Sequence, residues 1–175
     1  MSRIRALSFI VAVVALPDAV LGQDGSPDIA ALIECRADVQ AWGALAFPLS
    51  EGPAGAEAMG WKERASDNPF LKEYDLAAPV VVFGRSTRRV AMTATGPMAV
   101  LESVAPEALA AELGVTPTIA TEHKFLGEKV VLEKSETSEG IRFDTRIALN
   151  VSTVDTHPGL VLAGCSYVVE TSSAE

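Results

Sequence analysis

Cys35 and Cys165 are the chain's two thiols, one near each end of its 175 residues. A bond between them closes almost the whole chain into one loop. Any fold must then bring its first and last structured elements together. Whether the bond forms depends on the compartment, because thiols stay reduced in the cytosol and pair in oxidising spaces. The N-terminus bears on that question. Arg3 and Arg5 make a positive start, Ala6 to Leu16 is apolar apart from Ser8, and Pro17 ends the run before Val20-Leu21-Gly22. This is the charged, apolar, small-residue order of an export signal cut after Gly22. Its apolar core is shorter than the about 20 residues a spanning helix needs. No cysteine follows the cut directly, and Glu34 before Cys35 does not suit a lipoprotein.

The reading is therefore a signal peptide over residues 1–22 and a single domain over 23–175. The product is expected in the periplasm or secreted, not as a lipoprotein, and with no membrane span in the mature chain. A pair of cysteines in an exported chain is expected to form a disulfide, Cys35 to Cys165. Their spacing fits neither a C-x-x-C redox motif nor a metal site, so no metal and no cofactor is expected. Removing residues 1–22 takes two Arg and one Asp from a formal charge of −9 and leaves −10. Such an acidic chain avoids phosphate backbones, which argues against nucleic acid as a partner.

Hydrophobic periodicity supplies the elements. Ser26-Pro27-Asp28 reads as a helix start, with Ser26 as cap. Leu32, Cys35, Val39 and Trp42 recur every three or four residues and make one helical stripe, which Gly43 and Pro48 bracket at its end. Leu49 to Asn68 reads as an exposed loop. Val80 to Phe83, Arg88 to Thr95 and Met98 to Ser103 form a strand meander, turned at Gly96-Pro97. Pro106 to Leu113 is a short helix stopped by Gly114. Lys129 to Lys134 is a strand and Ser135 to Gly140 a polar turn. Ile141 to Thr153 alternates, with Ile141, Phe143, Ile147, Leu149 and Val151 on one face. Leu160 to Glu170 is the last strand, facing the same core through Val161, Ala163, Cys165, Tyr167 and Val169. The order gives an α+β fold: a long N-terminal helix and one short helix packed on one face of a mainly antiparallel, twisted sheet of about five to six strands.

Chemistry is sparse. There is no G-x-S-x-G elbow, S-x-x-K, P-loop or metalloprotease motif. Asp155 and His157 make a possible polar loop site, although Asp155-Thr156-His157-Pro158-Gly159 also carries ordinary turn chemistry. Arg85, Ser86, Thr87, Arg88 and Arg89 form a local basic cluster that could hold an anion. Asn150-Val151-Ser152 fits a glycosylation acceptor but falls inside a strand. No catalytic residue can be named, which points away from an enzyme.

The expectation is an exported periplasmic binding or interaction protein of inhibitor, immunity or envelope-accessory type. Its partner is an unidentified protein or small-molecule ligand. The alternatives are a small periplasmic hydrolase or isomerase with its site near His157, and a passive envelope protein. An enzyme should gather His157 with another ionisable group in a cleft. A binding module should leave apolar or charged concave surface uncovered.

Overall fold

The computed structural model describes residues 28–174. The export signal, Ser26 and Pro27 lie outside the described residues. One eight-stranded antiparallel sheet dominates the fold, with four short helices. This corrects the expected architecture on two counts. Among the described residues there is no long N-terminal helix, and the sheet has eight strands where about five to six were expected.

The expected first helix is two. α1 spans Ile29–Ile33 and α2 spans Val39–Ser50. The break has a physical cause. Arg36 N donates to the Ala31 carbonyl and Cys35 N to the Leu32 carbonyl, the paired closing bonds of a Schellman motif. Cys35 takes the left-handed position that glycine usually fills, with φ of 56°. Asp28 caps α1 by accepting from Ala30 N and Ala31 N, and Asp38 then caps α2 by accepting from Ala41 N. α2 passes through Gly43 and carries Pro48 in its last turn. α3 (Pro53–Ala58) and β1 (Lys62–Arg64) lie inside the stretch expected to be loop.

β2 (Lys72–Val82), β3 (Arg85–Met92) and β4 (Pro97–Glu102) continue the meander from β1. Val82 pairs with Arg85, so the β2–β3 turn is Phe83-Gly84. Both turn residues have positive φ, the geometry of a two-residue hairpin turn that matches strand twist. α4 (Pro106–Leu113) forms where expected. Gly114 ends it in the left-handed region while Val115 N donates to the Ala110 carbonyl. A second meander follows: β5 (Thr116–Ala120), β6 (Phe125–Ser138), β7 (Ile141–Ser152) and β8 (Leu160–Ser173). The polar stretch expected as a turn belongs to β6, and the turn proper is Glu139-Gly140, both at positive φ.

β8 joins the two meanders by pairing with β4 over Leu160 to Gly164, giving the order β1-β2-β3-β4-β8-β7-β6-β5. A Cβ on Gly164 would run into the backbone of Pro97 and Met98, so the junction closes only because this residue is glycine. The main core lies between the helices and one face of the sheet. Ile147, Leu149, Val151, Val161, Ala163, Cys165 and Tyr167 are buried there, as the alternation predicts. Ile141 and Val169 share that face but lie beyond the helices and are exposed. Cys35 and Cys165 form a disulfide, with Cα atoms 5.2 Å apart. The bond ties the loop after α1 to β8. Beside it the Tyr167 hydroxyl donates to the Leu32 carbonyl at 2.8 Å, and its ring stacks on Trp42. Burial holds the Tyr167 phenol well above its ordinary pKa. A smaller cluster of Ala91, Met98, Val100 and Leu162 is packed on the opposite face by Leu71, Val154 and Leu160.

Two outcomes follow for stability. Leu149 is buried opposite Cys165, whereas Asn150 faces the other way and donates to the Ala148 carbonyl and the Ser166 hydroxyl. Leu149→Asp, which buries an unpaired charge, should cost about 3–5 kcal/mol. Asn150→Asp loses two hydrogen bonds and should cost roughly 1–2 kcal/mol. Equal urea midpoints for the two variants would refute the register. The disulfide closes a loop across a sequence separation of 130. Chain entropy for such a loop gives about 5 kcal/mol, and measured values are typically about 2–4 kcal/mol. Reduction should lower the melting temperature markedly. Two reactive thiols in denatured, unreduced protein from its native source would overturn the pairing.

Candidate functional site

The residues singled out in the sequence do not converge on one another. Arg85 to Arg89 lie along β3, with Arg85 directly after the Phe83-Gly84 turn, and each arginine is engaged separately. Arg85 pairs with Glu112 on α4 at 2.7 Å and also donates to the Phe83 carbonyl. That pairing raises the Arg85 pKa and lowers that of Glu112. Arg88 donates to the carbonyls of Leu76 and Ala77. The Thr87 hydroxyl donates to the Val100 carbonyl at 2.9 Å. Ser86 and Thr87 alternate across the strand, so their hydroxyls point to opposite faces.

Arg89 instead belongs to a buried cluster with His157. The loop after β7 folds over the sheet face opposite the helices. It turns as expected, with His157 N donating to the Val154 carbonyl and Leu160 N to the His157 carbonyl. This brings the His157 ring onto Glu73 of β2. The Nε2 to Oε1 distance is 2.8 Å, and Glu73 and His157 are 1% and 3% exposed. The second carboxylate oxygen of Glu73 takes both Arg89 Nε at 2.6 Å and a terminal guanidinium nitrogen at 2.5 Å. Burial alone would raise the Glu73 pKa. The hydrogen bond and charge of Arg89, with smaller help from His157 and the Ser66 hydroxyl, overcome that and hold it below the ordinary value. An ionised carboxylate only accepts, so Nε2 carries the proton of the His157 contact. The ring's Nδ1 meets the Thr156 hydroxyl at 2.9 Å, and Asn68 Nδ2 donates to that same hydroxyl. Both ring nitrogens and both carboxylate oxygens are thus occupied.

Asp155 is exposed and takes no part in this cluster. It lines a cleft of about 610 Å³ with His157, His123, Glu122 and Glu107. Among the described residues no group of three or more His, Cys, Asp or Glu is placed to hold a metal. No helix among them is long and apolar enough to cross a membrane.

The surface left uncovered lies on the helix side of the sheet. α2 supplies one wall through Trp42, Ala46 and Leu49, and the segment before β2 supplies the other through Pro69, Phe70 and Leu71. Tyr74 and Met92 form the floor, and Thr93 to Thr95 close one end. The groove holds about 640 Å³, within the range of small-ligand sites. Phe70 is 84% exposed and Phe47 on α2 is 68% exposed. Of the two, Phe70 lines the groove and Phe47 does not. The helix stripe places Trp42 towards the sheet, but no periodicity marks Phe70 or the groove.

Comparison with protein-family models, with curated proteins and with solved structures gives no match.

The buried cluster generates a pH test. Glu73→Gln removes the only carboxylate that His157 and Arg89 share and should cost about 3 kcal/mol near neutral pH. Because folding lowers the Glu73 pKa, its contribution is complete above the unfolded value of about 4.3 and fades as pH falls through the folded value. Urea midpoints of wild type and Glu73→Gln should converge as the pH is lowered from 6 to 3. A gap that stays constant or widens would show that Glu73 is not ionised in the fold.

Proposed function

We propose that this is an exported binding protein, acting in the periplasm after loss of residues 1–22, with the groove between α2 and the Pro69–Leu71 segment as its site for an apolar ligand. The groove is the observation that carries this reading. A groove of about 640 Å³ with apolar walls and an exposed Phe70 at its lip suits binding. The disulfide supports an oxidising compartment, and the charge of the chain supports solubility there.

Hydrolase or isomerase chemistry at His157 is the second reading. Its support is the Glu73–His157 contact beside the cleft with Asp155 and His123, since a carboxylate behind an imidazole is a common catalytic arrangement. Against it, the ring has no free nitrogen to offer a substrate.

The test is to recover the protein from its native envelope without denaturant and extract it with organic solvent for mass spectrometry. The binding reading expects an intact mass lacking Met1 to Gly22 and a stoichiometric apolar compound. Ala46→Arg, which places a charge in the groove wall, should come through folded and without that compound. A wild type that retains nothing more than Ala46→Arg retains would overturn the reading.

A further inference from the structure

We propose that the groove takes a single-chain amphiphile with an anionic head, of the fatty-acid type, its chain lying between Trp42, Ala46 and Met92 and its carboxylate at Lys72. This rests on the binding reading and adds the class of ligand. Two observations carry it. The walls are apolar, and α2 lines the groove from Trp42 to Ser50, about two turns of helix, which gives a hydrocarbon chain a length to lie along. Lys72 stands at the rim, paired in register with Met92 of the floor. It is the one charged residue on the lining, and, like Lys62, Arg88, Lys124 and Lys129, it forms no ion pair among the described residues. In a chain of net charge −9, an unpaired cation beside an apolar groove selects for a negative head.

Calorimetric titration of the exported protein with three twelve-carbon probes tests this. Dodecanoate should bind at one per chain, and dodecyltrimethylammonium, with the same chain and opposite charge, about tenfold more weakly or worse. Lys72→Gln should weaken dodecanoate about threefold to fivefold, as for an exposed ion pair, and leave neutral dodecyl maltoside unchanged. Ala46→Trp, which fills the groove, should abolish binding of every probe while its melting temperature stays within a few degrees of wild type. No dodecanoate binding, equal affinity for the two charged probes, or binding that survives Ala46→Trp would each overturn the proposal. If dodecanoate fails while a different apolar compound is recovered with the native protein, the ligand class falls and the binding reading stands.

Discussion

β8 is the strand on which both halves of the molecule are built. Its first five residues close against β4 and Leu162 to Ser173 pair with β7, so neither meander's strands meet the other's except through it. The junction tolerates no side chain at Gly164, because the β4 backbone occupies the space. On the helix side the same strand holds Cys165 and Tyr167, which fasten the end of α1 by a covalent bond and by a hydrogen bond to the Leu32 carbonyl. Glu34 adds a third attachment by accepting from Phe83 N at 2.7 Å, tying α1 to the β2–β3 turn. Short helices have little intrinsic stability, and one of five residues has almost none. α1 therefore exists because β8 and the turn hold it. Cys35 occupies a left-handed position that costs a non-glycine residue of order 1–3 kcal/mol, which a disulfide over so long a loop offsets.

The opposite face is organised by charge. Glu73 is buried as an ion, and such burial is tolerated only when every lone pair is answered. Arg89 answers one oxygen from the neighbouring strand and His157 the other from a loop 84 residues further on. The result fixes where the β7–β8 loop lies, because the His157 ring is held on Glu73 and the Thr156 hydroxyl accepts from Asn68, both outside the loop. With Leu160 and Val154 packed on Leu162 and Val100, that loop shields the face that no helix covers. A hydrophobic plug would supply similar burial. The charged one also dictates a single placement, since displacement of the loop leaves an ion uncompensated.

What could be read in the sequence follows from how each element announces itself. β7 and β8 alternate over long stretches with one wet face, so their pairing, their turn and the inward direction of Leu149 and Cys165 were legible. α4 carries Pro at its start and Gly at its stop. The first helix misled because Leu32, Cys35, Val39 and Trp42 keep helical spacing across a break. Periodicity does not register a cap, and Asp38 was the signal that a new helix begins. β1 and β5 escaped because every residue in them is exposed and alternation has nothing to alternate between. The polar end of β6 looked like a turn because it projects beyond the core, where Ser135 and Glu136 pair with β7 in water. Glu73 sits in Lys-Glu-Tyr-Asp, which no local rule marks as buried. Its partners Arg89 and His157 come from separate parts of the chain, so the cluster exists only at the level of the sheet.

The helices cover the middle of the sheet and stop, which leaves two apolar surfaces of different character. Beyond them β6, β7 and the end of β8 run on as a three-stranded ribbon with Val130, Leu132, Ile141 and Val169 exposed. Those residues are interleaved with charge: Arg146 with Glu128 and Glu133, Arg142 with Asp144, Lys134 with Glu136. Charged side chains along open strands are the usual means by which a sheet avoids joining its neighbours. The groove beside α2 has no such interleaving. Trp42, Leu49, Phe70, Tyr74 and Met92 meet there with Lys72 as the one charge on its lining. Scattered apolar atoms on a charged ribbon are the ordinary exposure of a folded surface. A concave apolar surface with a single charged residue at its rim carries a hydration cost that an apolar occupant would relieve. The same shortness of the helices that leaves the ribbon bare thus gives α2 an open flank, and there the sequence gathers its apolar side chains without gathering charges to guard them.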